Sequence, residues 1–250
     1  MQKTALRRGA LQHAARTVEE CVEGADLIVI ATPLGMIASV FQRLARVLTP
    51  ESVVTDVCST KRSIVGLAAA ILPNAGRRFV GAHPMFGSEN SGIDHADANL
   101  LAGSRCILTP TARTDRAALR TVDAFWSALG LQTLTMAPAK HDQLLARASH
   151  LPQVMASVLM AGQDARSMQV SGRGLLDTTR LAASNPKLWA EILTDNGDNL
   201  SKELRAAAAT LTKLAAAAET GDRRKVKSII NAGRVARESL LKMRSRKTKQ

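Results

Sequence analysis

The sequence has no tyrosine, and only four phenylalanines and two tryptophans in 250 residues. Bases of a single-stranded nucleic acid stack on aromatic rings, so a stacking platform is largely excluded. Cysteine is equally scarce. Cys21, Cys58 and Cys106 are odd in number, far apart and in no C-x-x-C spacing, so they read as reduced thiols rather than a disulfide framework or a zinc site. No metal site is expected. No uninterrupted apolar run approaches the roughly 20 residues of a membrane span. Met1 to Ala15 also lacks the apolar core of a signal peptide, so the expectation is a soluble, cytoplasmic protein without membrane attachment.

Charge of one sign is abundant but unevenly placed. The formal net charge is +13, and residues 221–250 hold 11 Lys and Arg against Asp222 and Glu238, leaving only +4 on the preceding 220 residues. A basic C-terminal helix and tail can attract a polyanion. It can equally be a solvated helix face, and with so few aromatics nucleic acid is not the expected partner.

What is present is a regular alternation. Leu27-Ile28-Val29-Ile30-Ala31 is a short apolar run between Gly24-Ala25-Asp26 and Pro33, which suits a buried parallel strand. Met36 to Leu48 then repeats apolar residues at helical spacing. Strand and helix alternate through 52–57, 60–72 and 78–82, and again through 106–108, 115–129 and 131–136, which implies βαβ units and a mostly parallel sheet. From about Lys140 the strand signals end. Ala/Leu-rich helical segments follow at 141–167, 186–219 and 223–243, interrupted by Gly172, Gly174 and Gly221. The expected fold is α/β, an incomplete Rossmann-like sheet domain over 1–138 followed by an all-helical domain over 139–250.

The sheet is called incomplete because a dinucleotide-binding half normally opens with a strand, a G-x-G-x-x-G turn and a helix. The sequence contains no such turn. Ala5 to Ala15 reads as a helix or connecting segment, and Thr17-Val18-Glu19-Glu20 opens a short helix before the first strand. A chain of this kind is expected to begin late relative to a complete domain and to bind a dinucleotide weakly.

The chemistry concentrates after the third strand. His83-Pro84-Met85-Phe86-Gly87-Ser88-Glu89 places an imidazole and a carboxylate on one glycine-bearing loop, at the sheet edge where open α/β folds bind small ligands. Pro84 biases His83 toward extended backbone.

Five landmarks then occur in one order: Ala25-Asp26-Leu27-Ile28-Val29-Ile30-Ala31-Thr32-Pro33, Asp56-Val57-Cys58-Ser59-Thr60-Lys61, the Gly81 to Glu89 loop with Gly92 beyond it, Ser149-His150-Leu151-Pro152, and Gly174-Leu175-Leu176-Asp177-Thr178-Thr179-Arg180 trailed by Ser184-Asn185-Pro186-Lys187-Leu188-Trp189. Together they resemble the prephenate and arogenate dehydrogenase family over nearly the whole chain. The resemblance implies NAD- or NADP-dependent oxidative decarboxylation of a cyclohexadienyl carboxylate on the route to tyrosine, by a homodimer paired through its helical domain.

It also implies roles for particular residues. His83 is the base for the ring hydroxyl, since an imidazole titrates near 6.5 and accepts a proton at neutral pH. Ser59 aligns that transfer, contributes to the cofactor side, and is equally a candidate cap for the helix starting near Thr60. Arg180 offers a planar fork to a substrate carboxylate. Asp177 lies one turn earlier and can pair with it. His150 and Trp189 line the same cleft, and Glu89 is a loop carboxylate that gates it or is simply solvated. Ala31, Thr32 and Pro33 approach the nicotinamide ribose. Gln153 departs from relatives that carry a second His there; an amide can hydrogen-bond but cannot move a proton. Two other readings compete: a different nicotinamide-dependent acid dehydrogenase, and a non-catalytic helical protein that dimerises and binds a polyanion.

Overall fold

The computed structural model describes residues 2–72, 75–87 and 92–247. Two short helices come first, α1 (Gln2–Arg7) and α2 (Val18–Val22), the latter capped by the Thr17 side chain, which accepts the Glu20 N–H at 3.1 Å. Of Ala5 to Ala15, read as a helix or connecting segment, only the first three residues belong to α1, which ends at Arg7 ahead of Gly9 (φ +67°); the rest is a connecting segment.

Five strands form a single sheet in sequence order: β1 (Leu27–Ile30), β2 (Val53–Asp56), β3 (Phe79–Pro84), β4 (Arg105–Thr109) and β5 (Gln132–Thr135). β1, β2 and β3 run parallel, β4 runs antiparallel to β3, and β5 is parallel to β4. The carboxyl ends of β1, β2 and β3 thus open on one edge. Helices α3 (Ile37–Leu44), α4 (Arg62–Ile71) and α5 (Arg116–Ala128) lie in the connections.

Alternation along the strands separates two cores. Val54 and Phe79 point to one side and pack with Phe41, Leu44 and Ile64 of α3 and α4, with the rings of Phe41 and Phe79 edge to face at 5.4 Å. Val53 and Val80 point to the other and pack with Ala118, Val122 and Trp126 of α5. Asp115 caps α5 by accepting the Ala118 N–H at 2.8 Å.

The expected helix over 141–167 is broken into pieces. α6 (Pro138–Leu145) runs through a π-helical turn, Ala146–His150, into α7 (Leu151–Ala161). Pro152 causes the break: it has no N–H to close a normal turn, and its ring crowds the carbonyl four residues earlier. α8 (Ala165–Gln169), α9 (Arg173–Thr179) and α10 (Pro186–Asp195) follow, then α11 (Gly197–Glu219) and α12 (Arg223–Lys247).

Residues up to Leu200 make one compact unit, and those from Ser201 onward make a second. The first therefore includes α6 to α10 as well as the sheet, with α6 packed on α4. Within the second unit, Gly221 (φ +66°) supplies the left-handed turn between α11 and α12, and Asp222 caps α12 by accepting the Lys225 N–H at 3.0 Å. Ile230, Val235, Leu241 and Met243 of α12 are exposed.

Candidate active site

His83 is not on a loop. It lies inside β3, opposite Ile107 of β4, with Pro84 opposite Cys106 as the last paired residue. The added pairing with β4 carries the strand two residues past the expected end at Ala82. The imidazole is buried, and its Nδ1 is 2.9 Å from Nε2 of His141 on α6. The two rings meet edge to face at 5.1 Å. His141 Nδ1 is in turn 2.8 Å from Oδ1 of Asp142.

Asp142 has a second task. Its Oδ1 accepts the N–H of Lys61 and its Oδ2 the N–H of Arg62, each at 2.8 Å, so a carboxylate 80 residues away caps the first turn of α4. Two free helix N–H groups and the positive end of the helix dipole suit an anion there. Ser59 is accordingly not the helix cap; it sits half-buried on the loop between β2 and α4, with its side chain left for another use. Burial opposes the charge on Asp142, but the hydrogen bonds from His141, Arg62 and Lys61 outweigh it and hold the carboxyl below its usual range.

Beneath this loop lies a buried ion pair. Lys61 Nζ bonds to Asp56 and donates to the Ala82 carbonyl at 2.7 Å, while Asp56 accepts the N–H groups of Ala82 at 3.0 Å and Cys58 at 2.9 Å. One lysine and one aspartate thereby fasten the end of β2, the Ser59 loop and the residue before His83 together.

The helical side extends the network. Asn196, fully buried, donates from Nδ2 to the Asp142 carbonyl at 2.8 Å and lies 3.2 Å from His150 Nδ1. The Trp189 ring stands edge-on to His150 at 6.1 Å. Gln153, one turn beyond His150, donates from Nε2 to the Leu181 carbonyl at 2.8 Å, and its buried Oε1 has no hydrogen-bond partner. Leu181 follows Arg180, which opens a 3₁₀ turn after α9 and is exposed, as is Asp177. His83, His150 and Trp189 are therefore joined through contacts by way of His141, Asp142 and Asn196, whereas Gln153 is tied to Leu181, beside Arg180 on an exposed segment that follows Asp177. Glu89 lies outside the described residues.

Burial, reinforced by His141, Lys61 and His150, lowers the basicity of His83 well below the ordinary imidazole value. Burial likewise lowers His150, to about 4, against the opposing pull of Asp142. Both rings are neutral at pH 7, as a proton acceptor must be.

On the other side of the crevice, Ala31 and Pro33 are exposed just past β1, and the Thr32 hydroxyl is buried without a hydrogen-bond partner. The Thr60 hydroxyl, past β2, is in the same state. Orphaned hydroxyls at the carboxyl ends of two neighbouring parallel strands suit the nicotinamide end of a dinucleotide. The sequence has no glycine-rich turn to cradle its pyrophosphate. Among the described residues, no group of three His, Cys, Asp or Glu is placed to hold a metal ion.

Sequence reasoning missed His141, Asp142 and Asn196, and gave Asp56 and Lys61 no role beyond marking a landmark. His141-Asp142 is an adjacent pair inside a helical pattern, and nothing in its spacing points to β3. Only packing of α6 on α4 reveals it.

The family model for the prephenate dehydrogenase nucleotide-binding domain matches residues 1–134, and that for the prephenate dehydrogenase dimerization domain matches residues 137–232. The chain is 33% identical to the cyclohexadienyl dehydrogenase of Zymomonas mobilis over 214 residues, covering 82% of this chain and 72% of that protein. It is 32% identical to the prephenate dehydrogenase of Bacillus subtilis over 204 residues, covering 78% of this chain and 54% of that protein, so it spans about half the length of that relative. The crystal structure of Aquifex aeolicus prephenate dehydrogenase with hydroxyphenyl propionate and NAD+ superposes with a TM-score of 0.86 at 27% identity, over 95% of this chain and 85% of that one.

Proposed function

Because the chain belongs to the prephenate dehydrogenase family, we propose that it catalyses the oxidative decarboxylation of a cyclohexadienyl carboxylate, prephenate or arogenate, with NAD or NADP as redox partner. The observation that carries this reading is the buried, neutral His83 at the carboxyl end of β3, the sheet edge past which Thr32 and Ser59 also stand. Loss of CO₂ and aromatisation drive the reaction, so the protein has chiefly to orient the ring and take the proton of its C4 hydroxyl.

His83 accepts that proton. Ser59, free of any capping duty, aligns the hydroxyl with the imidazole. The Arg180 guanidinium, on an exposed segment, presents a fork to a substrate carboxylate, with Asp177 one turn earlier to orient it. Trp189 and His150 form a wall of the cleft, and Gln153 offers an acceptor oxygen to the substrate. Ala31, Thr32 and Pro33 hold the nicotinamide end of the cofactor, with the Thr32 and Thr60 hydroxyls available to it. When bound, the nicotinamide supplies the hydride acceptor. The gating role assigned to Glu89 by resemblance stays with this proposal.

The second unit fits the same reading. A basic helix with Ile230, Val235, Leu241 and Met243 exposed has an apolar surface to bury, and a partner copy of the dimerization domain covers it in a homodimer. Among the described residues no helix is long and apolar enough to cross a membrane, and the proposal places the enzyme in the cytoplasm with its small-molecule substrate.

Prephenate, arogenate and simple hydroxyacids should be assayed side by side with NAD+ and NADP+, following release of CO₂ and the aromatic product. Turnover of a cyclohexadienyl substrate alone supports the proposal. Turnover only of simple hydroxyacids points to another acid dehydrogenase, and turnover of none, with salt-sensitive retention on heparin, to a polyanion-binding protein.

A further inference from the structure

We propose that His141 and Asp142 act as positioning residues that fix the proton of His83 on Nδ1, so that Nε2 presents its lone pair to the substrate hydroxyl. This rests on the reading of His83 as the base, and deepens it by saying which ring nitrogen does the work and what selects it.

The argument is one of donors and acceptors. The Asp142 carboxylate already accepts two backbone N–H groups at the start of α4 and can only accept again. The contact between its Oδ1 and His141 Nδ1, 2.8 Å, therefore requires the proton on His141 Nδ1. A neutral imidazole with a proton on Nδ1 has a bare Nε2. That nitrogen lies 2.9 Å from His83 Nδ1, so this second contact is a hydrogen bond only if His83 donates, from Nδ1. His83 is thereby left with an unprotonated Nε2. Two helix N–H groups on α4 thus dictate, through one carboxylate and one imidazole, the tautomer of a residue on β3.

The arrangement has a consequence for the chemical step. The substrate O–H bond breaks and a His83 Nε2–H bond forms, leaving an imidazolium whose Nδ1–H still points at His141. His141 and Asp142 need not change protonation; the carboxylate stabilises the new positive charge through the intervening ring. Asn196 holds the register from the far side, donating to the Asp142 carbonyl. Chains of oriented hydrogen bonds of this kind polarise one another in a buried site.

Tautomers are read directly by two-bond 1H–15N correlation spectra of protein labelled with 15N-histidine, in which His83 is assigned by loss of its signals in His83→Asn. With five histidines in the chain the spectrum is tractable. The expected result at pH 7.5 is a His83 pattern with Nδ1 protonated and Nε2 bare. In Asp142→Asn an amide nitrogen in place of Oδ1 donates to His141 Nδ1 and gives up the Lys61 N–H, while the amide oxygen in place of Oδ2 keeps accepting the Arg62 N–H. His141 then carries its proton on Nε2 and donates to His83, and the His83 proton moves to Nε2. In His141→Phe, which removes the contact without touching the α4 cap, the His83 tautomer becomes mixed. A folded Asp142→Asn variant is also expected to lose about 10²-fold or more in kcat with KM little changed.

A wild-type His83 protonated on Nε2, or a His83 pattern unchanged in both variants, overturns the proposal. Should Asp142→Asn fail to fold, the His141→Phe spectrum decides alone. None of these spectra depends on turnover. A protein with the expected tautomers that turns over no cyclohexadienyl substrate would count against the proposed function and leave the relay standing.

Discussion

The Lys61 ammonium, wholly buried, donates to the carbonyl of Ala82 at 2.7 Å, one residue ahead of His83. Its other partner is the equally buried Asp56. Removing one member of a buried pair leaves the other charge unmatched, which typically costs about 3–5 kcal/mol. Lys61→Ala is therefore expected to lose that much stability in chemical denaturation, and with it the registration of β3 against the Ser59 loop. A loss below about 1 kcal/mol would mean that the pair does not anchor the strand.

Gly81 marks a second constraint on the same strand. A Cβ there would fall 2.5 Å from Thr109 Oγ1 and 3.0 Å from Val65 Cγ2, and Thr109 is itself tied to the Gly81 carbonyl at 3.1 Å. Overpacking of this kind costs roughly 1–3 kcal/mol. Gly81→Ala is expected to lower the midpoint of thermal unfolding by several degrees; an unchanged midpoint would show that β3 and β4 separate easily at this point.

Much of this was legible in the chain. The β-branched runs at Leu27–Ile30 and Val53–Asp56 and the helical periodicity between them announce a parallel sheet, because neither run has polar alternation; of the two, only β2 is buried on both faces in the fold, while Val29 of β1 is exposed. By the same pattern Thr32 could be placed just past a strand, whereas His83, read as opening a loop, lies within β3 because pairing with β4 lengthens that strand. The direction of β4 could not be read, since a short apolar strand has the same composition whichever way it runs. The His141-Asp142 pair and the Lys61-Asp56 pair were also hidden: the first reaches from α6 to His83 on β3 and to the start of α4, the second to the Ala82 backbone on β3, and single-sequence periodicity carries no information about which helix faces which strand. Ser59 illustrates the point. A hydroxyl ahead of a helix reads as a cap from local rules, yet a carboxylate from α6 takes the place.

Acid should destabilise the protein before it denatures most carboxylate-dependent folds. His83 lies well below its ordinary value, and His150 is lowered to about 4. Lowered folded values mean that the unfolded chain binds more protons as pH falls below about 6.5, so stability declines from there down to the folded values. Each such histidine contributes a slope of up to about 1.4 kcal/mol per pH unit within its window. Asp142, also lowered, adds a further loss only below about pH 4. Thermal melts between pH 8 and pH 4.5 are expected to be flat above pH 7 and to fall below it. A midpoint independent of pH across that range would contradict the buried neutral imidazoles.

Arg180 is expected to act in binding rather than in the proton transfer. Its exposed position beside Leu181, whose carbonyl holds Gln153, suits a group that meets the substrate's acid function. Charge-assisted pairs of this type are worth roughly 1.5–3 kcal/mol. Arg180→Gln should raise KM by about 10- to 100-fold while kcat stays within a few-fold. An equal loss in kcat at unchanged KM would move Arg180 out of the substrate-carboxylate role.

The most direct measurement is the turnover of His83→Asn beside the wild-type chain, at saturating cofactor and substrate, with binding of the substrate measured on both. Without a base the C4 hydroxyl proton has no acceptor, so kcat should fall by about 10²- to 10⁴-fold while substrate affinity changes little and the fold is retained. A His83→Asn protein that keeps the wild-type kcat contradicts the assignment of His83 as the proton acceptor.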